Sequence, residues 1–297
     1  MAPCPNPGKR GGPSMKYRLA IVWFAALLVA PTVRAANLPT AIYVMRVDGS
    51  DVRKVADVEG HTDHRNPRFS PAGKHLVFSA REPASGRTVC YVIGIDGSNL
   101  RKIGFGDLPD WSPDGKQIVY DDRTSPGNII VENLDGQGTT LVTSGLSPRW
   151  SPDGRMLAFR RDKNVQVLDL ISGEQHALLA PGISQVLSGM DWSPGGDTLA
   201  VIIRETKGGV RKLLFLDPTK DNQPSTGRLG LGIGGPIAFS PDGKQVAYDF
   251  NYKIRIEDVA GGGRPRLIPG QKGHNLHPDW SPDGEWIAFG SDRHTVP

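Results

Sequence analysis

Pro109-Asp110-Trp111-Ser112-Pro113-Asp114-Gly115 is one of six copies of a segment in this chain. The others centre on Phe69, Trp150, Trp192, Phe239 and Trp280, and successive aromatics lie 39 to 47 residues apart. A period of that size marks an array of supersecondary units, none able to bury its apolar face alone. Within a copy, Ser-Pro-Asp-Gly is turn chemistry: proline presets φ, aspartate favours the turn, and glycine accepts positive φ at its end. The copies at Phe69 and Trp192 carry Ala72 and Gly195 where the others have aspartate.

After each turn comes a short apolar alternation, such as Gln117-Ile118-Val119-Tyr120 or Trp286-Ile287-Ala288-Phe289, which predicts a strand. A polar loop leads to a second alternating run that ends in its own turn, as in Cys90 to Gly97 and Ile129 to Gly136, and then to a short outer strand such as Leu100 to Ile103. Four strands per period predict a propeller blade. Ala41 to Ser50 reads as the second half of a unit with no first half, and the last copy stops after its first half at Asp292-Arg293-His294. The two halves make one blade. The expected fold is therefore all-β, a six-bladed β-propeller with four-stranded blades over residues 37–297, closed by pairing of N- and C-terminal strands, which also covers two open sheet edges.

Composition agrees. Gly and Pro supply 37 and 25 of 297 residues, too many turn formers for a helical bundle. Hydrophobic residues at 38% and charged ones at 22% support a core and argue against a disordered chain. The formal charge of +4 comes from the N-terminus: residues 1–35 hold five basic residues and no acid, leaving 30 basic against 31 acidic residues beyond them. The remainder gives no electrostatic case for nucleic acid. Met15-Lys16-Tyr17-Arg18, the apolar run Leu19 to Ala30 and Val33-Arg34-Ala35 predict a leader and signal peptide over residues 1–36, with cleavage before Ala36 and translation starting at Met1 or Met15. The alternative is an uncleaved anchor, although the run is short for a span. With cleavage, no stable membrane span is expected. Cys90 is then a lone cysteine in an apolar run, read as a small buried hydrophobe.

The Trp-Ser-Pro-Asp-Gly copies resemble the TolB-type propeller family, whose rings close by sharing one blade between the termini. Trp-Asp repeat propellers have a similar period, but their marks do not recur here. In the resembled family, the periplasmic Tol component binds a peptidoglycan-associated lipoprotein and carries an additional N-terminal α/β domain, which is not expected here. Similar propellers precede hydrolase domains in prolyl peptidases, yet no Gly-x-Ser-x-Gly elbow occurs, which excludes that chemistry. The resemblance implies a monomeric, periplasmic or secreted, non-catalytic binding or scaffold module with an envelope or secreted protein partner and no cofactor. The alternative it implies is a metal-assisted polysaccharide enzyme resembling oligogalacturonate lyases.

Two residue sets are candidate sites. The position before each aromatic reads Arg68, Asp110, Arg149, Asp191, Ala238 and Asp279. Two-residue periodicity puts it opposite the aromatic, towards neighbouring blades or the central channel, where alternating signs favour ion pairing between adjacent blades. His61, His64, His274 and His277 fall in loops entering adjacent blades. They are candidate ligands for a divalent metal, with Asp63 as a carboxylate. Variable loops on the face opposite the Ser-Pro-Asp-Gly turns, among them Arg160 to Asn164, are the expected location of binding.

Overall fold

The computed structural model describes residues 40–124, 126–181, 184–205, 211–224, 228–229, 233–261 and 263–294. The leader expected over residues 1–36 lies outside the described residues. Among them there is no helix, and six four-stranded antiparallel sheets form the six-bladed propeller that the repeats predict. The inner strands of blades one to six are Thr62–Phe69, Asp107–Trp111, Leu146–Trp150, Ser184–Trp192, Ile233–Phe239 and Asn275–Trp280. Each touches the next around the ring, and the sixth touches the first.

The sixth blade is shared between the chain's two ends. Its order is Asn275–Trp280, Trp286–Ser291, Ala41–Arg46 and Arg53–Ala56, with Ala41 opposite Ser291 and Arg46 opposite Trp286. Strand periodicity makes this segment a double-sided seal. Ala41, Tyr43 and Met45 pack with Ile254 and Ile256 of blade five, whereas Ile42 and Val44 pack with Phe69, Leu76 and Phe78 of blade one.

The turns between first and second strands close one face of the ring. In four copies the Ser hydroxyl donates to the turn Asp at 2.5–2.6 Å and accepts the amide that opens the second strand. In the Gly195 copy, Ser193 donates instead to Asp197 at 2.7 Å, so the missing aspartate is replaced two residues later. Each turn glycine has φ between 68° and 76° and lies against the turn proline of the preceding blade. The contact of Gly73 with Pro282 continues that collar across the closure.

Candidate functional site

Four inner strands read Asn66-Pro67-Arg68-Phe69, Leu108-Pro109-Asp110-Trp111, Ser147-Pro148-Arg149-Trp150 and His277-Pro278-Asp279-Trp280. The first residue of each has a left-handed backbone, with φ of 53°, 51°, 57° and 56°. At the same place the pairing with the second strand shifts register. Such a bulge re-aims the side chains beyond it, although left-handed φ outside glycine costs on the order of 1–3 kcal/mol. The aromatic then packs between blades while the preceding Arg or Asp turns to the axis.

There the charges form one hub. Arg68 of blade one donates from Nε to Asp110 of blade two at 3.2 Å and from Nη2 to Asp191 of blade four at 2.7 Å, and its Nη1 lies 2.9 Å from Asp279 of blade six. Side chains from four blades can meet only at the axis. Each carboxylate uses its second oxygen on the next blade: Asp110 accepts the Trp150 amide at 3.0 Å, Asp191 that of Phe239 at 2.8 Å and Asp279 that of Phe69 at 2.7 Å. Trp111 and Trp192 return the link by donating Nε1 to the Arg68 and Arg149 carbonyls, both at 3.1 Å. Even-numbered blades thus supply the aspartates and odd-numbered blades the amides. Burial pushes the Asp279 carboxyl up to about 6 despite Arg68. Burial also opposes the charge on Arg68, but its three aspartates outweigh it and hold the guanidinium well above its ordinary value.

Arg149 departs from the expected pairing of adjacent blades. It is fully buried, but its Nη1 donates to the Leu108 and Pro148 carbonyls at 3.3 and 2.9 Å. Its Nε and Nη2 have no hydrogen-bond partner among the described residues. Arg68 takes all three carboxylates, so Arg149 is left with backbone oxygens. Burial, then the charge of Arg68, lowers its proton affinity.

A second polar layer lies beyond the bulges. Buried Asp107 meets Arg65 at 2.6 Å and Arg123 at 2.5 Å, and accepts from Ser79 and Asn66 at 2.6 and 2.8 Å. Burial works against its charge, yet these partners hold it far below the usual carboxylate range. Asp121 and Asp249, at the ends of second strands, accept the bulge amides of Ser147 and His277 at 2.8 and 3.2 Å. Burial raises both to about 6. Sequence reasoning missed this layer. Its signal was the shared Tyr-Asp ending of Gln117 to Asp121 and Gln245 to Asp249.

The hub is the floor of a funnel of 510 Å³ that opens on the turn face. Its rim is Pro71, Pro113, Pro152, Pro194, Pro241 and Pro282, one from each blade, and its wall includes Phe69, Trp111, Trp150, Trp192 and Phe239. The six repeats therefore converge on a concave surface with an apolar rim and an ionic floor.

The four candidate histidines are engaged separately. His61 contacts the Glu59 carbonyl and the Tyr91 hydroxyl, both at 3.0 Å. His64 Nε2 accepts the Val58 amide at 2.9 Å, and burial lowers that imidazole to about 4. His274 Nδ1 lies 2.6 Å from Asp292. His277 stands at a bulge, and burial lowers it to about 3. His64 and His277 are inside inner strands and not in loops, because the bulges extend those strands beyond the apolar pattern. Asp63 pairs with Arg65. No group of three or more His, Cys, Asp or Glu side chains is gathered as metal ligands among the described residues.

A closed ring of six four-stranded blades with an axial depression defines a six-bladed β-propeller. The chain belongs to the TolB β-propeller family, whose model matches residues 30–178. It is similar to the solved structure of a TolB-like protein from Agrobacterium tumefaciens, with TM-score 0.65 and 19% identity over 85% of this chain and 98% of that one. TolB from Acinetobacter baumannii gives TM-score 0.57 and 17% identity over 86% of this chain and 64% of that one. An uncharacterised protein of Agrobacterium fabrum is 44% identical over 59 residues, which are 18% of this chain and 20% of that protein. At these identities the solved structures speak for the fold alone.

Proposed function

We propose that this chain is an exported, non-catalytic docking module of the cell envelope that receives a protein partner in the turn-face funnel. The observation that carries this reading is the funnel itself: six prolines and five aromatics surround a polar floor that is held rigid by bonds between blades. Rigid, partly apolar concave surfaces with few fixed polar groups suit recognition at little ordering cost. Membership of the TolB propeller family and the leader-like residues 16–35 support an extracytoplasmic location.

Two measurements test the reading. A photo-crosslinking residue at Pro152 should capture a discrete envelope protein, whereas the same residue at Ile171, 82% exposed and away from the funnel, should not. Identical products from both positions, or none from Pro152, would refute funnel docking. N-terminal sequencing of the exported chain should give a start near Ala36. A start at Met1 or Met15 with membrane retention would refute cleavage.

A further inference from the structure

A second cavity, of 240 Å³, lies where the loop after the second strand of blade three meets blades two and four. Three cations line it, Arg160, Arg161 and Lys163, with Asp162 as the one lining acid. Pro126, Leu146 and Val186 give it an apolar wall.

The cations are not equivalent. Arg161 is committed to structure, donating Nε to the Ser144 carbonyl at 2.8 Å, Nη2 to Thr143 Oγ1 at 2.5 Å and Nη1 to Gln175 at 3.2 Å. The Arg160 side chain has neither a hydrogen bond nor an ion pair among the described residues. It is nonetheless half-buried, and burial, then the charge of Arg123, lowers its proton affinity. Asp121, whose charge favours that of Arg160, is fully buried, accepts the Ser147 amide at 2.8 Å and faces Arg123 at 3.3 Å. Its Oδ1 has no hydrogen-bond partner among the described residues, and no ion pair joins it to Arg160. Asp162 and Lys163 have φ of 50° and 70°, the left-handed pair of a tight two-residue hairpin turn. The turn leaves Lys163 exposed beside Arg160. A partly desolvated guanidinium without a partner is costly unless something supplies the acceptor.

We propose that this pocket is a binding site for an organic carboxylate, held by the planar fork of Arg160. Lys163 adds a second positive charge at the mouth, and Pro126, Leu146 and Val186 receive the hydrocarbon body. A planar guanidinium pairs with carboxylate through two parallel hydrogen bonds, and the apolar wall favours an organic acid over inorganic phosphate.

The probe is isovalerate, added to the full 15N-labelled chain at constant ionic strength and followed through amide shifts of Leu146 and residues 160–163. Inorganic phosphate and isopentylamine are the comparison ligands. Saturable shifts are expected with isovalerate, none with the amine and weaker ones with phosphate. Arg160→Met should weaken isovalerate binding about tenfold or more while shifts elsewhere stay in place, and Lys163→Met by roughly two- to fivefold. Should Arg160→Met perturb the fold, Arg160→Lys decides, since it keeps the charge, loses the fork and should bind about threefold more weakly. Absence of saturation, unchanged affinity in both Arg160 variants, or phosphate binding at least as tight as isovalerate would overturn the site. The funnel is untouched by these substitutions, so either reading can fail without the other.

Discussion

Replacing Arg68 with methionine would leave Asp110, Asp191 and Asp279 facing one another across the axis. The guanidinium reaches them at 3.2, 2.7 and 2.9 Å. At an effective dielectric near 20, a pair of charges about 4 Å apart contributes roughly 4 kcal/mol, so three pairs give on the order of 12 kcal/mol before costs. Desolvation of four ions and repulsion among the carboxylates offset most of that. What remains when one partner is removed from a buried cluster is a loss of about 3–5 kcal/mol.

The sign of the pH dependence sharpens the test. Burial already raises Asp279 to about 6 against the pull of Arg68, and without Arg68 that carboxyl should rise further. A folded-state carboxyl above its unfolded value of about 3.9 binds more protons in the folded chain across that window, so its contribution falls as pH climbs. The Arg68→Met deficit should therefore be largest near pH 8 and smaller at pH 5. Urea unfolding followed by tryptophan fluorescence, at matched ionic strength, measures both. Arg149→Met is the control: it occupies the same register two blades away, but its guanidinium meets only carbonyls, so its loss should stay below about 1.5 kcal/mol. An Arg68→Met chain within about 1 kcal/mol of wild type, or a deficit equal at both pH values, would falsify the hub.

Other consequences follow from the same packing. Ile42→Ala removes a fully buried side chain from the seal between blades six and one and should cost about 2–4 kcal/mol in denaturant unfolding; a loss under about 0.5 kcal/mol would contradict closure by the N-terminal strand. His64 is lowered to about 4, so the folded chain takes up fewer protons than the unfolded one below about 6.5, and this group withdraws stability as pH falls from 6.5 towards 4. His64→Asn should be less stable at pH 7.5 yet lose less between pH 7 and 4.5, and parallel pH profiles would refute that account. Gly235→Ala would direct a methyl group at the His277 ring and to within 2.8 Å of Asp249 Oδ1; a thermal midpoint several degrees lower is expected, and an unchanged one would mean that blades five and six are less tightly packed there.

Local chemistry determined much of this protein. Ser-Pro-Asp-Gly makes the same turn wherever it stands, alternation makes the strand after it, and a half unit at each end can be completed only by the other. Those signals are short-range or simply counted, so blade number, strand order and shared-blade closure are legible in the residues alone. The axial position of the residue before each aromatic is legible too, because strand periodicity sets it. Which charges meet there is not. Arg68 and Arg149 occupy equivalent places in their repeats, yet one gathers three aspartates from blades two, four and six and the other meets only carbonyls. Partner choice depends on the directions of long side chains across a ring of unequal blades, among them one with Ala238 where its neighbours carry charge. The bulges that place His64 and His277 inside strands, and the meeting of blades two, three and four around Arg160, likewise arise from contacts between blades far apart in the chain. A repeat unit encodes its own turns and strands, whereas a shared axis and a pocket between blades exist only once the ring has closed.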